Sequence, residues 1–566
     1  MDDEQVKPVV AIPLVLFLAI ASAILRFANM GSLPLADSEA VQALAANSLL
    51  AGVKPEGVTE GLYVSLTGLV YWLFGSSDII ARLVPATAGW AFSLVPLLFR
   101  RQLGQLASLM LLGFFAFDPF LITISRSVNG VVLPLFSTSL LVYGLISAKP
   151  RFAGFSLALV LLSGHMGWLA LAGLALGAVA HGLVKKEPIA PMIFQFGKQH
   201  GLDLGLTGLL TIVAISSGLF VQPAMFDVPF NALASVFSRF SLPTGSSLYL
   251  PGLGLLFYEA FGLVLGLFGI SQLIKKSSDG MWLLIFSFFM FVATFLQSER
   301  HILSIAWITP LLLVGASFFV AEFLAPRPLY DRETFGMFLF SIVVLVFMGL
   351  NYLSVALVQM DPSATQLRWT VLIGSFTMLA ASLVLVTYGW SFSVAWRGLV
   401  SALAVFLFAI NINAAWSASN LRSGNIQGLT DPAPMISTDQ VLKAQLEAAT
   451  TWNFGSDVLK QVSVIGVESP ALKWQLRGSS SKYLPAISNP EDLGEIIITK
   501  PELVNEELEQ AYRGQSFIWS HTVPYDLLTG SEWLKWSVNR TFPVTEQRLI
   551  LWIKADKFID RQNNPE

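Results

Sequence analysis

Residues 302–320 have the sequence ILSIAWITPLLLVGASFFV, which contains no charged side chain. A helix of this length is about as long as the ~30 Å hydrocarbon layer of a bilayer is thick. The run lacks the polar and apolar alternation of a transmembrane β-strand. Because lipid offers no hydrogen-bond partners to the backbone, a continuous apolar segment crosses it as a helix. Residues 302–320 are therefore predicted to span a membrane.

Similar apolar runs recur through the first three-quarters of the chain, at Pro8–Phe27, Leu83–Phe99, Leu253–Ile274, Met281–Leu296, Phe335–Leu353 and Leu399–Trp416. The chain has 54% hydrophobic and only 13% charged residues, whereas a soluble protein has about 25% charged residues. The runs predict an α-helical polytopic membrane protein with about 13 spans. Two further runs, Leu62–Phe74 and Phe152–Ser163, are shorter. A re-entrant or interfacial helix is the competing interpretation for these two.

Basic residues predict the orientation of these spans. They concentrate in alternate loops, at Arg100–Arg101, Lys149–Arg151, Lys185–Lys186, Lys275–Lys276, Arg327–Arg332 and Arg397. The positive-inside rule places such loops in the cytoplasm. With an odd number of spans, the N-terminus is predicted to be cytoplasmic and the C-terminus external. The first run lacks a basic n-region, which favours a retained span over a cleaved signal peptide. We expect a multi-pass protein of the plasma membrane.

Charged residues return in the last quarter of the chain, so we divide it into a membrane part, 1–420, and an external soluble part, 421–566. Short β-rich runs lie at Val462–Val467, Gly494–Thr499, Gln515–Trp519 and Arg548–Ile553. Segments Ala471–Arg477 and Pro501–Tyr512 have helical composition. The pattern predicts a small α/β domain.

Composition also excludes several classes of function. The chain contains no cysteine, which removes disulfides, thiolate metal sites and cysteine nucleophiles. Its net charge of -3 and scattered basic residues argue against a nucleic-acid partner. No set of histidines and carboxylates has metal-ligand spacing, so we predict no obligatory metal or other cofactor.

Three clusters of polar residues fall at predicted external ends of spans. Asp37 and Glu39 follow the first span and open an amphipathic stretch ending near Gly52; a helix cap and a first-turn acid are the structural alternative. Asp118 and Ser125–Arg126 follow the third span, where an arginine also snorkels to headgroups without further function. Glu299, Arg300 and His301 precede the run at 302–320, and an interfacial ion pair is the alternative there.

Several short motifs occur in the order found in a known family. They are Leu25-Arg26-Phe27, Pro34, Asp37-Ser38-Glu39-Ala40, Trp72-Leu73-Phe74-Gly75, Ala81-Arg82-Leu83, Ser125-Arg126, Glu299-Arg300-His301 and Ile308-Thr309-Pro310. This order resembles the GT-C membrane glycosyltransferases, in particular the branch of protein O-mannosyltransferases and aminoarabinose transferases. The segment 472–477, LKWQLR, is similar to the external domain of some prokaryotic members.

The resemblance implies transfer of a sugar from a polyprenyl-phosphate donor to a protein or glycolipid acceptor on the external face. An acid of the first external loop is the family's catalytic base, and this role falls on Asp37, with Glu39 as the neighbouring acid. Arg126, Arg300 and His301 are the candidates for binding the lipid phosphate. The chemistry agrees, because an acceptor hydroxyl needs a base and the departing phosphate needs a cation.

The sequence departs from the family after Ser125–Arg126. Family members often carry an acid there, whereas Ser127, Val128, Asn129 and Gly130 follow here, so a second acid in this loop is in doubt unless Asp118 replaces it. Two rival functions are a transporter of lipid-linked sugars and a non-catalytic scaffold. A transporter favours internal repeats and charged residues inside its spans, and the sequence shows no repeat and few such charges.

Overall fold

The computed structural model describes residues 8–555 except positions 54, 56–57, 186–188, 219–224, 241–247, 277, 298–300, 325–330, 358–361, 422–427, 430–434, 437–441, 443, 447–461, 487–492 and 505. The N-terminal part is helical. Its helices are α1 (Pro8–Phe27), α2 (Asp37–Leu50), α3 (Gly61–Phe74), α4 (Asp78–Leu94), α5 (Arg100–Leu103), α6 (Gln105–Phe117), α7 (Pro119–Ser125), α8 (Val132–Ile146), α9 (Pro150–Leu162), α10 (His165–Lys185), α11 (Ile189–Ser216), α12 (Val228–Ser238), α13 (Leu250–Tyr258), α14 (Ala260–Lys276), α15 (Ser278–Phe295), α16 (Ile305–Phe319), α17 (Arg332–Leu357), α18 (Pro362–Gly389) and α19 (Phe392–Ala418).

Helices able to cross a membrane confirm the predicted multi-span architecture. In the described part of the chain, 5 helices are long and apolar enough, or up to 7 if each of two bent helix pairs is one span. Other apolar helices there have 10–17 described residues, and they include α3 and α9, the two short runs of the sequence. The count of about 13 spans stays a prediction.

Two helix pairs are sharply bent, and an acid lies at each break. Helices α6 and α7 meet at 59°, and α13 and α14 meet at 87°. Asp118 separates the first pair; its backbone is extended, and its side chain accepts a hydrogen bond from the Leu121 amide. Pro119 follows, and a proline disfavours helical geometry in the residue before it. Glu259 separates the second pair.

The C-terminal part contains the α/β domain that the sequence predicts. Its helices are α20 (Pro470–Gln475), α21 (Glu506–Ala511) and α22 (Gly530–Asn539), and its strands are β1 (Met435–Ile436), β2 (Val462–Ile465), β3 (Ser481–Leu484), β4 (Ile496–Thr499), β5 (Tyr512–Thr522) and β6 (Thr545–Lys554). The six strands form one sheet in the order β1-β5-β6-β4-β2-β3. The pairs β2–β3 and β2–β4 are parallel, whereas β4–β6, β5–β6 and β1–β5 are antiparallel.

The sequence prediction was right for β2, β4, β5, β6 and α20, and it missed β1 and β3. The predicted single helix Pro501–Tyr512 was wrong. A 3-10 turn covers Pro501–Leu503, and the Val504 backbone is extended before α21 begins.

The two parts of the chain share one hydrophobic core. Trp474 of α20 and Trp536 of α22 are fully buried. The Trp474 ring contacts Tyr71 of α3, and the Trp536 ring contacts Phe257 and Tyr258 of α13. Burial of such large rings stabilises the junction, since each removes about 150–250 Å² from solvent. Helices α20 and α22 thus fix the domain onto the membrane helices.

Candidate active site

Asp37 lies in the junction between the membrane helices and the C-terminal domain. It is the first residue of α2, after the N-cap Ala36, and it is half-buried. Its Oδ1 accepts hydrogen bonds from the Ser469 hydroxyl at 2.6 Å and from the Ala471 amide at 2.9 Å. Ser469 is itself the N-cap of α20, accepting from the Leu472 amide. Asp37 Oδ2 makes no hydrogen bond to the residues that the structure describes.

Glu39 is buried and fully hydrogen-bonded. Arg82 of α4 donates from Nε to Oε1 at 3.0 Å and from Nη2 to Oε2 at 2.6 Å. The Val128 amide donates to Oε1 at 2.9 Å and the Ala36 amide to Oε2 at 3.1 Å. Burial acts to raise the pKa of Glu39, but the Arg82 charge and these hydrogen bonds outweigh it and hold the pKa below its ordinary value. Glu39 is therefore an ionised carboxylate whose two oxygens already accept four hydrogen bonds.

Arg82 also fixes the loop between α1 and α2. Its Nη1 donates to the carbonyls of Met30 and Leu33, and its Nη2 donates to that of Pro34. The loop between α1 and α2 is thus held by one guanidinium, whose planar fork suits several acceptors at once. In the sequence Arg82 is recognisable only as part of a motif, because nothing in the local pattern pairs it with Glu39.

Arg126 lies at the end of α7 and caps α1. Its Nη1 donates to the carbonyls of Leu25, Arg26 and Ala28 at 3.1, 3.0 and 2.7 Å. A cation at a helix C-terminus satisfies carbonyls that have no partner within the helix. Two residues later the Val128 amide reaches Glu39. The structure therefore brings the loop after Arg126 onto Glu39, while the Arg126 side chain contacts the end of α1 and Asp37 contacts the start of α20.

The third predicted cluster is not fully described. Glu299 and Arg300 lie outside the described residues. His301 begins a 3-10 helix, His301–Ser304, which leads into α16; its side chain also lies outside the described structure.

A further acid, Glu60, was missed by the sequence analysis. It precedes α3, and its side chain lies between two loop glycines. A Cβ atom added to Gly130 would lie 2.3 Å from Glu60 Oε1, and one added to Gly164 would lie 3.0 Å from Glu60 Cγ. Both glycines have a positive φ, 70° and 87°. The loop that lacks the family acid therefore packs its backbone directly on Glu60.

Asp118 does not take the place of the missing acid beside Asp37. It is buried at the break between α6 and α7, and its Oδ1 caps α7. Its carboxyl group interacts with that of Glu259, which is buried at the other break and accepts a hydrogen bond from Thr309. No pattern in the sequence around Asp118 or Glu259 predicts that the two helix breaks meet.

Metal ligands are not grouped in the described part of the chain. No three histidine, cysteine, aspartate or glutamate side chains are clustered there. The local chemistry of the site is one half-exposed carboxylate, a buried carboxylate–guanidinium pair and a nearby arginine.

Comparison with solved structures identifies the fold. The ArnT structure from Cupriavidus metallidurans bound to undecaprenyl phosphate is similar at a TM-score of 0.56 and 14% identity, covering 99% of each chain. The apo form of that protein gives 0.55 and 13%, covering 98% of this chain and 100% of that one. The arabinosyltransferase EmbB from Mycobacterium smegmatis gives 0.36 and 13%, covering 75% and 44%.

No protein-family model matches the chain, and no curated protein sequence matches it. The likeness to ArnT covers both the membrane helices and the C-terminal domain. The chain therefore shares the fold of ArnT over nearly its whole length, as the sequence predicts.

Proposed function

We propose that this chain is a membrane glycosyltransferase that moves a sugar from a polyprenyl-phosphate donor to a protein or glycolipid acceptor on the external face of the membrane. The observation that carries the proposal is the Asp37 carboxylate, which lies at the start of α2 with Oδ1 held by Ser469 and Ala471. The shared fold supports it, since ArnT has been seen with undecaprenyl phosphate bound.

The proposed reaction is a single displacement with inversion. Asp37 takes the proton of the acceptor hydroxyl as the acceptor oxygen attacks the anomeric carbon. The bond from that carbon to the lipid phosphate breaks, and its electron pair leaves on the phosphate oxygen. Glu39 is a poor base, because its two oxygens already accept four hydrogen bonds. We assign it the role of fixing the start of α2, and with it the position of Asp37.

The departing phosphate needs positive charge, and Arg126, Arg300 and His301 are the proposed sources. Arg126 Nη1 already donates to carbonyls at the end of α1. We therefore assign the contact with the phosphate to Arg126 Nε and Nη2. A guanidinium offers five N–H donors and suits phosphate oxygens. No metal is required in this scheme.

We also propose about 13 spans in the plasma membrane, by the length criterion, with a cytoplasmic N-terminus and external residues 421–566. Positively charged loops support this orientation. Asp37, Trp474 and the other junction residues then lie on the external side, where lipid-linked donors present their sugars.

A non-catalytic scaffold is the second candidate, and one contact favours it. Asp37 Oδ1 caps a helix of the C-terminal domain, so the same carboxylate has a structural use. The Asp37→Asn variant separates the two functions. Asparagine keeps an Oδ1 acceptor for Ser469 and Ala471, so folding should survive under either function.

The assay is sugar transfer by the purified full chain with undecaprenyl-phosphate-linked sugar and an acceptor that the unmodified protein uses. If Asp37 is the base, Asp37→Asn should transfer about 10²- to 10⁴-fold more slowly. Asp78→Asn is the matched control, because Asp78 also accepts a hydrogen bond across the junction, from Trp474 Nε1 at 2.6 Å. It should transfer at nearly the normal rate. Equal rates for both variants would remove Asp37 from catalysis.

A further inference from the structure

Arg540 is a half-buried cation at the junction. It ends α22, and its Nη1 is buried without a hydrogen-bond partner among the described residues. Its guanidinium lies 4.3 Å from the Trp536 ring centre and 5.2 Å from that of Tyr258. No carboxylate forms a salt bridge with it in the part of the chain described. A charge partly removed from water without a counter-ion is costly, and aromatic faces offset only part of that cost.

The backbone of Arg540 is unusual as well. Its φ is 58° and its ψ is 35°, the left-handed conformation that glycine adopts most easily at a helix end. A residue other than glycine adopts this conformation at a cost in free energy. Burial lowers the pKa of the Arg540 guanidinium, although an arginine still keeps its proton at neutral pH. A strained backbone and an uncompensated charge at one residue point to a ligand that the charge would bind.

The surroundings indicate the kind of ligand. Tyr352 at the end of α17 hydrogen-bonds Ser537 of α22, and it interacts electrostatically with Arg540. The residue before it, Asn351, accepts a hydrogen bond from Arg368 of α18 at 2.9 Å. Most of the apolar helix α18 is exposed on the surface of the protein, as suits a helix that faces lipid. Trp369 beside Arg368 is 44% exposed, as suits an interfacial aromatic residue.

We propose that Arg540, together with Tyr352 and with Arg368 as a more distant second cation, binds the phosphate headgroup of a membrane lipid where α22 packs on α17. Arginine binds phosphate through paired, charge-assisted hydrogen bonds. The lipid would bridge the membrane helices and the C-terminal domain. This site is separate from the proposed catalytic role of Asp37 and does not depend on it.

The test uses the full chain in detergent, with dioleoylphosphatidic acid as the probe and dioleoylphosphatidylcholine and glycerol phosphate as comparisons. We expect phosphatidic acid to raise the thermal midpoint by several degrees and the other two to have little effect. Arg540→Gln should weaken the apparent affinity about 10- to 100-fold, since a hydrogen bond to a charged group contributes 1.5–3 kcal/mol and 1.4 kcal/mol is tenfold. Arg368→Gln should weaken it less.

Arg548→Gln is the control, because Arg548 is an exposed arginine of the same domain, paired with Glu546. It should bind the probe normally. A shift reproduced by glycerol phosphate and lost in Arg540→Gln would support the phosphate site and assign it to free phosphate. If Arg540→Gln does not fold, Arg540→Lys, which keeps the charge and loses the planar fork, should still weaken binding. An equal response to both lipids, or normal binding by the Arg540 variants, would overturn the proposal.

Discussion

The ion pair between Glu39 and Arg82 offers the sharpest test of how the site is built. Both side chains are almost inaccessible, at 5% and 7% exposure. Arg82→Met would leave the Glu39 carboxylate buried without its counter-charge, which costs about 3–5 kcal/mol. It would also remove the donor from three loop carbonyls. We expect Arg82→Met to be among the most destabilising single substitutions in the chain.

A double-mutant cycle measures the interaction. The double variant, Glu39→Leu with Arg82→Met, removes both charges, so it should be no less stable than Arg82→Met alone. The coupling energy of the cycle should then be about 3 kcal/mol. The readout is the thermal midpoint of the full chain in detergent, compared between variants. The control cycle uses Glu546 and Arg548, whose side chains are 39% and 57% exposed. Exposed pairs contribute about 0–1 kcal/mol, so that coupling should be small. Similar coupling energies in the two cycles would refute the argument.

The same pair gives a pH dependence. The pKa of Glu39 is lowered in the folded protein, so its stabilising contribution is complete above the unfolded value of about 4.3. It is lost as the pH falls below that value towards the lower folded pKa. The difference in thermal midpoint between wild type and the double variant should therefore become smaller at acidic pH. A difference that becomes larger there would contradict a lowered pKa of Glu39.

Three other predictions concern orientation, packing and the base. Because the chain has no cysteine, Ser480→Cys should react with an impermeant maleimide in intact cells, whereas Lys149→Cys should react only after permeabilisation; labelling of both in intact cells would refute the orientation. Gly130→Ala should reduce transfer and stability more than Gly75→Ala, since both have a positive φ but only the Cβ at Gly130 meets Glu60; equal effects would mean strain alone matters. Ser469→Ala should slow transfer about tenfold through lost positioning of Asp37, and Ser469→Thr should restore the rate; faster transfer by Ser469→Ala would instead show that Ser469 blocks the acceptor.

Local chemistry explains how much the sequence predicts. Apolar runs predict helices because lipid leaves the backbone no other arrangement. The β-branched residues of 462–467 predict β2 because such side chains favour strands. The break at Asp118 is visible beforehand as an Asp-Pro pair. The break at Glu259 has no such signal, because neither a proline nor a glycine adjoins it.

The site depends on contacts between distant residues, which the sequence cannot predict without its fold. Asp37 and Glu39 are two residues apart and chemically alike, and the sequence predicts both as acids at the start of a helix. The structure separates them: Glu39 meets Arg82, 43 positions away, whereas Asp37 meets Ser469, 432 positions away. Only the family resemblance favoured Asp37 over Glu39 as the candidate base, because spacing alone does not distinguish the two acids.

Asp37 links the position of the C-terminal domain to the proposed chemistry. A carboxylate acts as a base through an oxygen that accepts no strong hydrogen bond beforehand, and Asp37 Oδ1 already accepts two. The proton must then go to Oδ2, whose direction is fixed by how Ser469 and Ala471 hold Oδ1. Because both donors belong to the start of α20, any movement of that helix turns the Asp37 carboxylate. The Trp474 and Arg477 contacts to Asp78 and Ser76 hold α20 in place, so the domain that covers the site also orients the proposed base.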